Sequence, residues 1–326
     1  MDPQVSLPVV GIDVSKASLA VCYQAEHQVR HLEVSNTTAG FEQLLQASGA
    51  NCLFVLEATG AYYLLLAYYL HAQGAQVAVL NPLVIKRFIQ MHLGKGKSDR
   101  KDAQWLLRYG QQQATKPWQP EENVLVECRQ LEQVSEQLIK QKTMVSNSVE
   151  ALTQQPIQSS GALKQLQQTV HLLGQQQQLV EQELLSLLEK RYAQELALLC
   201  SIPGIGRKTA ALLLLFAGGF TTVDNYRQLI AKAGLSPREH TSGTSIRGKV
   251  RIPKRGGGRI RSKLYRCSLS AKRGNAACRA LYERLVARGK NGKVALIAVC
   301  TKLLKQAFAI IKSGVPYRTD FTSNLA

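Results

Sequence analysis

Apolar residues recur at two different spacings along this 326-residue chain, and the change of spacing divides it into parts. Short apolar or alternating runs at Val9–Val14, Leu19–Tyr23 and His31–Val34 predict three strands joined by turns. Asn36 and Thr37 are helix-capping residue types ahead of a helical pattern over about residues 40–46. Cys52–Glu57 then predicts a strand, Tyr62–Gln73 a helix and Gln76–Leu80 a strand, and Asn81-Pro82 opens another helix. Three antiparallel strands followed by alternating helix and strand is the element order of the ribonuclease H-like fold. An α/β domain of that class is therefore expected over residues 1–120.

The period changes after Glu121. Leu163, Leu166, Val170, Leu173, Gln177, Val180, Leu184 and Leu187 follow alternating steps of three and four, a heptad seam with one polar position. Leu131, Val134, Leu138, Val145, Val149 and Leu152 give a looser version upstream, and Pro156 to Gly161 carries turn chemistry. Residues 121–193 are expected to form an antiparallel coiled-coil hairpin. Seams of this kind serve self-association, so a homo-oligomer, dimer or tetramer, is expected.

Residues 194–326 are expected to form a mainly α C-terminal domain. Leu198–Cys200, SIPGIGRKT and the apolar run after it have the form of a helix–hairpin–helix motif. There Gly204 and Gly206 would bring backbone N–H groups to a phosphate, with Arg207 and Lys208 adding charge. A glycine-rich turn between two packed helices is the other reading, and the residues alone leave both open. The longest greasy stretch, Ala210 to Gly218, is too short to span a bilayer and predicts a core helix. The glycine- and arginine-rich segment AGLSPREHTSGTSIRGKVRIPKRGGGRIR is expected to be a loop, and helical periodicity returns from Ser262 to Ser313.

Charge sharpens this picture. Between Gly243 and Lys305 there are 18 Lys or Arg against one acid, Glu283, so this stretch holds +17 of the chain's net +19. Such density points to a polyanion partner, with Arg247, Lys249, Arg251, Lys254, Arg255, Arg259 and Arg261 as candidate contacts to a nucleic-acid backbone. The seven scattered cysteines form no CxxC pair, which argues against a zinc site or a disulfide scaffold. With no signal peptide visible at Met1 to Pro8, a soluble cytoplasmic protein without a membrane partner is expected.

The chemistry concentrates in four acids: Asp13 in VVGIDVSK, Glu57 in LFVLEATG, and Asp99 and Asp102 in GKSDRKDA. The first two each follow an apolar run that reads as a buried strand, where a carboxylate needs partners. The second two stand three apart at a helix start, on one face. Converging carboxylates repel unless a cation holds them, and hard oxygen ligands suit a divalent ion in phosphodiester chemistry. Ser242, Thr244 and Ser245 are hydroxyl residues beside Gly243, each a turn residue or a candidate nucleophile with Arg247 and Lys249 near to stabilise charge. Residue chemistry does not choose among them.

GIDVSK, LEATGAY, KSDRKDA, SIPGIGRKTA, AGLSPREHTSGTSIRGK and AIIKSGVPY, in this order from about Val9 to Tyr317, resemble the bridge-RNA-guided DEDD transposases of insertion sequences (insertion-sequence family one-ten), relatives of Piv-type DNA invertases. The resemblance implies a RuvC-like domain in which Asp13, Glu57, Asp99 and Asp102 bind Mg²⁺ or Mn²⁺. It also implies a C-terminal transposase domain whose catalytic serine matches Ser242. A phosphoserine link to DNA, composite sites shared between subunits, target and donor DNA as substrates, and a structured non-coding guide RNA belong to the same implication. Two rivals stay open on residue chemistry: a RuvC-like nuclease or junction resolvase using water, and a non-enzymatic nucleic-acid-binding protein.

Overall fold

Residues 9–12 and 54–56 are buried without a break, as happens when both faces of a sheet are covered. In a computed structural model that describes residues 7–26, 28–242, 246–253 and 256–319, the chain forms two compact units, residues 1–120 and 121–326. The first unit holds β1 (Val9–Val14), β2 (Ser18–Ala25), β3 (Gln28–Ser35), α1 (Thr38–Ser48), β4 (Leu53–Glu57), α2 (Tyr63–Ala72), β5 (Gln76–Leu80), α3 (Pro82–Met91) and α4 (Asp99–Gln112). Its mixed sheet has the order β3-β2-β1-β4-β5, with β1–β2 and β2–β3 antiparallel and β1–β4 and β4–β5 parallel.

Helices cover both faces of this sheet, which is why β1 and β4 read as nearly continuous apolar runs. Val10, Ile12, Leu19, Val21, Phe54, Leu56 and Val77 bury with residues of α1 and α2. Val9, Cys22, Val55, Ala78 and Leu80 bury with residues of α3 and α4. Side-chain oxygens set where the helices begin: Thr37, Asn81 and Ser98 are the N-caps of α1, α3 and α4. Gly11 fixes how closely α4 approaches, because a Cβ there would lie 2.2 Å from the Ala103 carbonyl oxygen and the Leu107 nitrogen. Near the other end of the helix, a Cβ on Gly110 would meet Val9 at 2.6 Å and Val55 at 2.7 Å. These contacts run α4 antiparallel to β1, so its first turn stands at the strand's C-terminal end.

The second unit contains α5 (Asn123–Thr153), α6 (Ser160–Cys200), α7 (Arg207–Ala217), α8 (Tyr226–Lys232), β6 (Arg238–Ser242), β7 (Ile246–Arg251), α9 (Gly258–Gly274), α10 (Ala276–Ala287) and α11 (Gly292–Ser313). α5 and α6 lie antiparallel, with Cys128 against Leu184, Lys142 beside Gly174 and Glu122 bonded to Arg191. All eight residues of the expected α6 seam are buried or half-buried, while most positions between them are exposed. On α5 the seam differs from the expected one. Val134 is 42% exposed and Ser135 only 6% exposed, so the buried register runs Cys128, Leu131, Ser135, Leu138, Lys142, Val145, Val149, Leu152. Polar letters at two register positions, and an apolar one beside the register, hid it from the sequence. α5 faces this seam within one chain, which removes the seam as an argument for oligomers.

Three other expectations change. The arginine-rich segment is not all loop: β6 and β7 pair antiparallel, His240 opposite Gly248 and Ser242 opposite Ile246. Its backbone ladder forms without the alternating apolar face that announces a hairpin. Gly204, at φ 103°, lies under α9, where a Cβ would come within 2.9 Å of the Ala271 backbone, so the packed-turn reading accounts for this glycine. The longest apolar helix is α11, not α7. α11 is long and apolar enough to cross a membrane by composition, yet Leu296, Val299, Cys300, Leu303, Leu304 and Ile310 are core of this unit. α6 also departs from helical geometry at Tyr192 (φ −127°, ψ 32°), whose hydroxyl donates to Glu122.

Candidate active site

Register brings the acids together. Asp13 sits one residue before the end of β1, and Glu57 ends β4. The parallel pairing of Ile12 with Leu56 places these two acids side by side on adjacent strands. Both share side-chain parity with Gly11 and Val55, so both stand on the α4 face. Asp99 and Asp102 occupy the first turn of α4, above that end of the sheet. Carboxylates there also meet the positive end of the helix. Thr59 donates a hydrogen bond of 2.5 Å to Glu57 Oε1.

The electrostatics record the crowding. Burial first, then the charges of Asp102, Asp99 and Glu57, push the Asp13 carboxyl up to about 6, against a smaller opposing effect of Lys97. Burial likewise raises Asp102; Lys97 opposes it, and Glu57 and Asp99 add to the rise. No three His, Cys, Asp or Glu side chains among the described residues form a ready-made metal cage. The donor set nevertheless fits a hard divalent cation. It offers only carboxylate oxygens, and it carries repulsion that such an ion would relieve. A cleft of about 260 Å³ opens beside Asp13 and Asp99, lined also by Ser15, Ser18, Ala20, His31, Glu33 and Arg100.

In the second unit Ser242 is the last residue of β6. Thr244, Ser245, Lys254 and Arg255 lie outside the described residues, and Arg247 and Lys249 are placed by their backbone in β7. Arg251 closes that strand and is exposed. Other basic residues already have protein partners. Arg207 pairs with Glu189, and Lys208 with Glu181 at 2.5 Å, tying α7 to α6. Arg259 is engaged by Glu132 and Glu136 of α5, and burial lowers its guanidinium to about 10. Arg261 donates to the carbonyls of Ala233 (2.8 Å) and Gly256 (3.2 Å). These four side chains meet carboxylates or carbonyls in the fold, contacts that neither the motif nor a count of charges displays. His31 and Arg100, which line the cleft beside the acids, were not singled out by motif. Their signal lies in strand register for His31 and in the docking of α4 for Arg100, neither of which one sequence displays.

Comparison with known proteins covers most of the chain. Residues 10–156 match a family profile of DEDD transposases of IS110, described as a transposase. Residues 196–283 match a second, described as the transposase IS116/IS110/IS902 family. The chain is 30% identical to the pilin gene-inverting protein of Moraxella lacunata over 323 residues, covering 94% of this chain and 97% of that protein. It is 29% identical, with the same coverage, to the pilin gene-inverting protein of Moraxella bovis. An uncharacterized 43.6 kDa protein of insertion element IS110 from Streptomyces coelicolor is 32% identical over 121 residues, 37% of this chain and 30% of that protein.

Proposed function

Because this chain belongs to the IS110 family of DEDD transposases, enzymes that act on DNA, we propose that it is an RNA-guided recombinase that inserts and excises its own element. The observation that carries the reading is the meeting of Asp13, Glu57, Asp99 and Asp102 at one end of the sheet, where burial and the three neighbouring carboxylates push Asp13 up to about 6. The strand order and the flanking helices support a RuvC-like domain for residues 1–120. The α5–α6 pair, residues 121–193, serves as a coiled-coil arm, and residues 194–326 as the transposase domain.

Asp13, Glu57, Asp99 and Asp102 would hold Mg²⁺ or Mn²⁺. Such an ion supplies positive charge for the oxygens of the phosphate under attack. Ser242, the last residue of β6, is the nucleophile. Its Oγ forms a bond to phosphorus as one P–O bond of the DNA backbone breaks; the serine proton leaves and the freed deoxyribose oxygen takes one up. Attack on the phosphoserine by a hydroxyl of another strand reverses these changes and joins the new partners, so strands are exchanged without net hydrolysis. Arg251, with Arg247 and Lys249 on the same strand, holds backbone phosphates and carries no sequence information. Sequence choice falls to a structured non-coding RNA that pairs with target and donor DNA. Subunits of a homo-oligomer in the cytoplasm share composite sites, the acids of one meeting the serine of another.

Ser242→Ala is expected to abolish strand exchange and the covalent protein–DNA adduct while leaving RNA and DNA binding within about twofold. Proteolysis of the trapped adduct and mass spectrometry locate the phosphorylated residue. Cleavage that survives Ser242→Ala without an adduct would establish water as the nucleophile and a nuclease in place of a recombinase.

A further inference from the structure

The cleft beside the acids is built from a row of residues across three strands. Glu33 on β3 faces Ala20 on β2, and Ala20 faces Asp13 on β1. In the next row His31 faces Cys22, which faces Gly11. The small Ala20 side chain, between two carboxylates, leaves the floor low, and the space above it is part of the cleft of about 260 Å³. Arg100 closes the far wall. Helical geometry separates it from its neighbours: Asp99 and Asp102 share a face, whereas Arg100 is turned about 100° away.

Two observations set Arg100 apart from a surface cation paired by chance. It lines the same cleft as Asp13, Glu33 and Asp99, yet among the described residues it makes no ion pair. Its charge is felt at His31 and Cys22, on the β2–β3 side. An unpaired guanidinium and the acids thus border one space large enough for a phosphate and part of its sugar. That combination suits an anion that reaches the carboxylates together with a cation.

We propose that this cleft is a phosphate subsite for the DNA strand, in which Arg100 binds a backbone phosphate next to the one being transferred. This deepens the functional reading above and rests on it. Acids on one wall serve the reacting phosphate; Arg100 on the other fixes the strand's path across β2 and β3. Arg100 contributes to substrate affinity and register, whereas the acids contribute to the chemical step.

The test uses the purified full chain with its co-purifying RNA, Mn²⁺, and a plasmid carrying the element, with rates followed against DNA concentration. Arg100→Ala is expected to raise KM about tenfold with a smaller change in kcat, the loss of one charge-assisted contact. Added guanidinium ion restores the rate, and Arg100→Lys recovers part of it. Ala20→Leu, which fills the floor, raises KM in the same direction, and guanidinium does not rescue it. Unchanged KM in Arg100→Ala beside an inactive Asp13→Asn overturns the subsite and leaves the acid site standing. So does a loss that guanidinium fails to restore and that comes with a lowered melting temperature of the first unit. Wild-type activity in Asp13→Asn overturns the reading on which the subsite rests.

Discussion

Replacing Asp13 by Asn separates the electrostatic cost of the acid cluster from its packing. The carboxyl rises from 3.8 to about 6 because burial and three neighbouring carboxylates disfavour its charge. The native state therefore holds this proton more tightly than the unfolded chain. Its stabilising contribution is complete below pH 4 and drains away as pH rises through 6. The whole shift corresponds to about 3 kcal/mol, and screening at a half-buried site trims this to roughly 1.5. About half of it falls between pH 5 and pH 8, where ordinary carboxylates have finished titrating. Asn has nearly the same shape and no charge, so the stability advantage of Asp13→Asn over wild type should grow by about 0.7 kcal/mol across that range. Both tryptophans, Trp105 and Trp118, lie in the first unit, so fluorescence melts of the full chain report this unit alone. The expected gain is about 4 °C at pH 8 over that at pH 5. Mn²⁺ at ten times its dissociation constant should then raise wild type by about 1.4 kcal/mol and leave Asp13→Asn unmoved. A mutant advantage independent of pH, or equal stabilisation of both proteins by Mn²⁺, would refute the account of these acids as a repelling cluster waiting for a cation.

Two further substitutions test placement. Gly11→Val drives a side chain into the α4 backbone, so α4 must lift; a loss of 3 kcal/mol or more in tryptophan-detected melts is expected, together with lost recombination, and a stable active variant would contradict the close approach. Arg259→Ala leaves Glu132 and Glu136 without their cation and should cost about 3 kcal/mol by circular dichroism. Its DNA affinity should keep the wild-type dependence on salt, whereas exposed Arg251→Ala should lower the slope by about 1. The reverse pattern would return Arg259 to the nucleic-acid surface.

The strands of the first unit were legible because helices cover both faces of the sheet, so β1 and β4 carry apolar letters at almost every position. The same cause exposed the acids. An Asp or Glu at the end of such a run has no reason to be there unless something at the strand end needs it. What stayed hidden depends on pairing. Nothing in one sequence says that Ala20 lies between Glu33 and Asp13, because register is decided by which residues meet across strands. The α6 seam could be read from seven apolar positions and one glutamine. The α5 seam could not, since Ser135 and Lys142 sit in the register and Val134 lies outside it. Hairpin β6–β7 escaped for a related reason: its polar residues form a backbone ladder with no apolar period to announce it.

Charge was the least legible property, and the second unit shows why. The basic stretch and the acidic helices are distant in sequence, so composition treats one as a nucleic-acid surface and the other as a solvated arm. In the fold they touch: Glu132 and Glu136 of α5 take Arg259, while Glu181 and Glu189 of α6 take Lys208 and Arg207. Acids of the helical pair thus neutralise the basic residues nearest to it and fix the helices in place. The cations left for a polyanion are those farther along, among them exposed Arg251 on β7 and Arg266 and Arg273 on α9. Helical spacing places Arg266 and Arg273 on one stripe with Ser262 and Leu269, all four exposed. A net charge of +19 is a statement about long-range attraction; which side chains can act on it is decided by the carboxylates that reach them first.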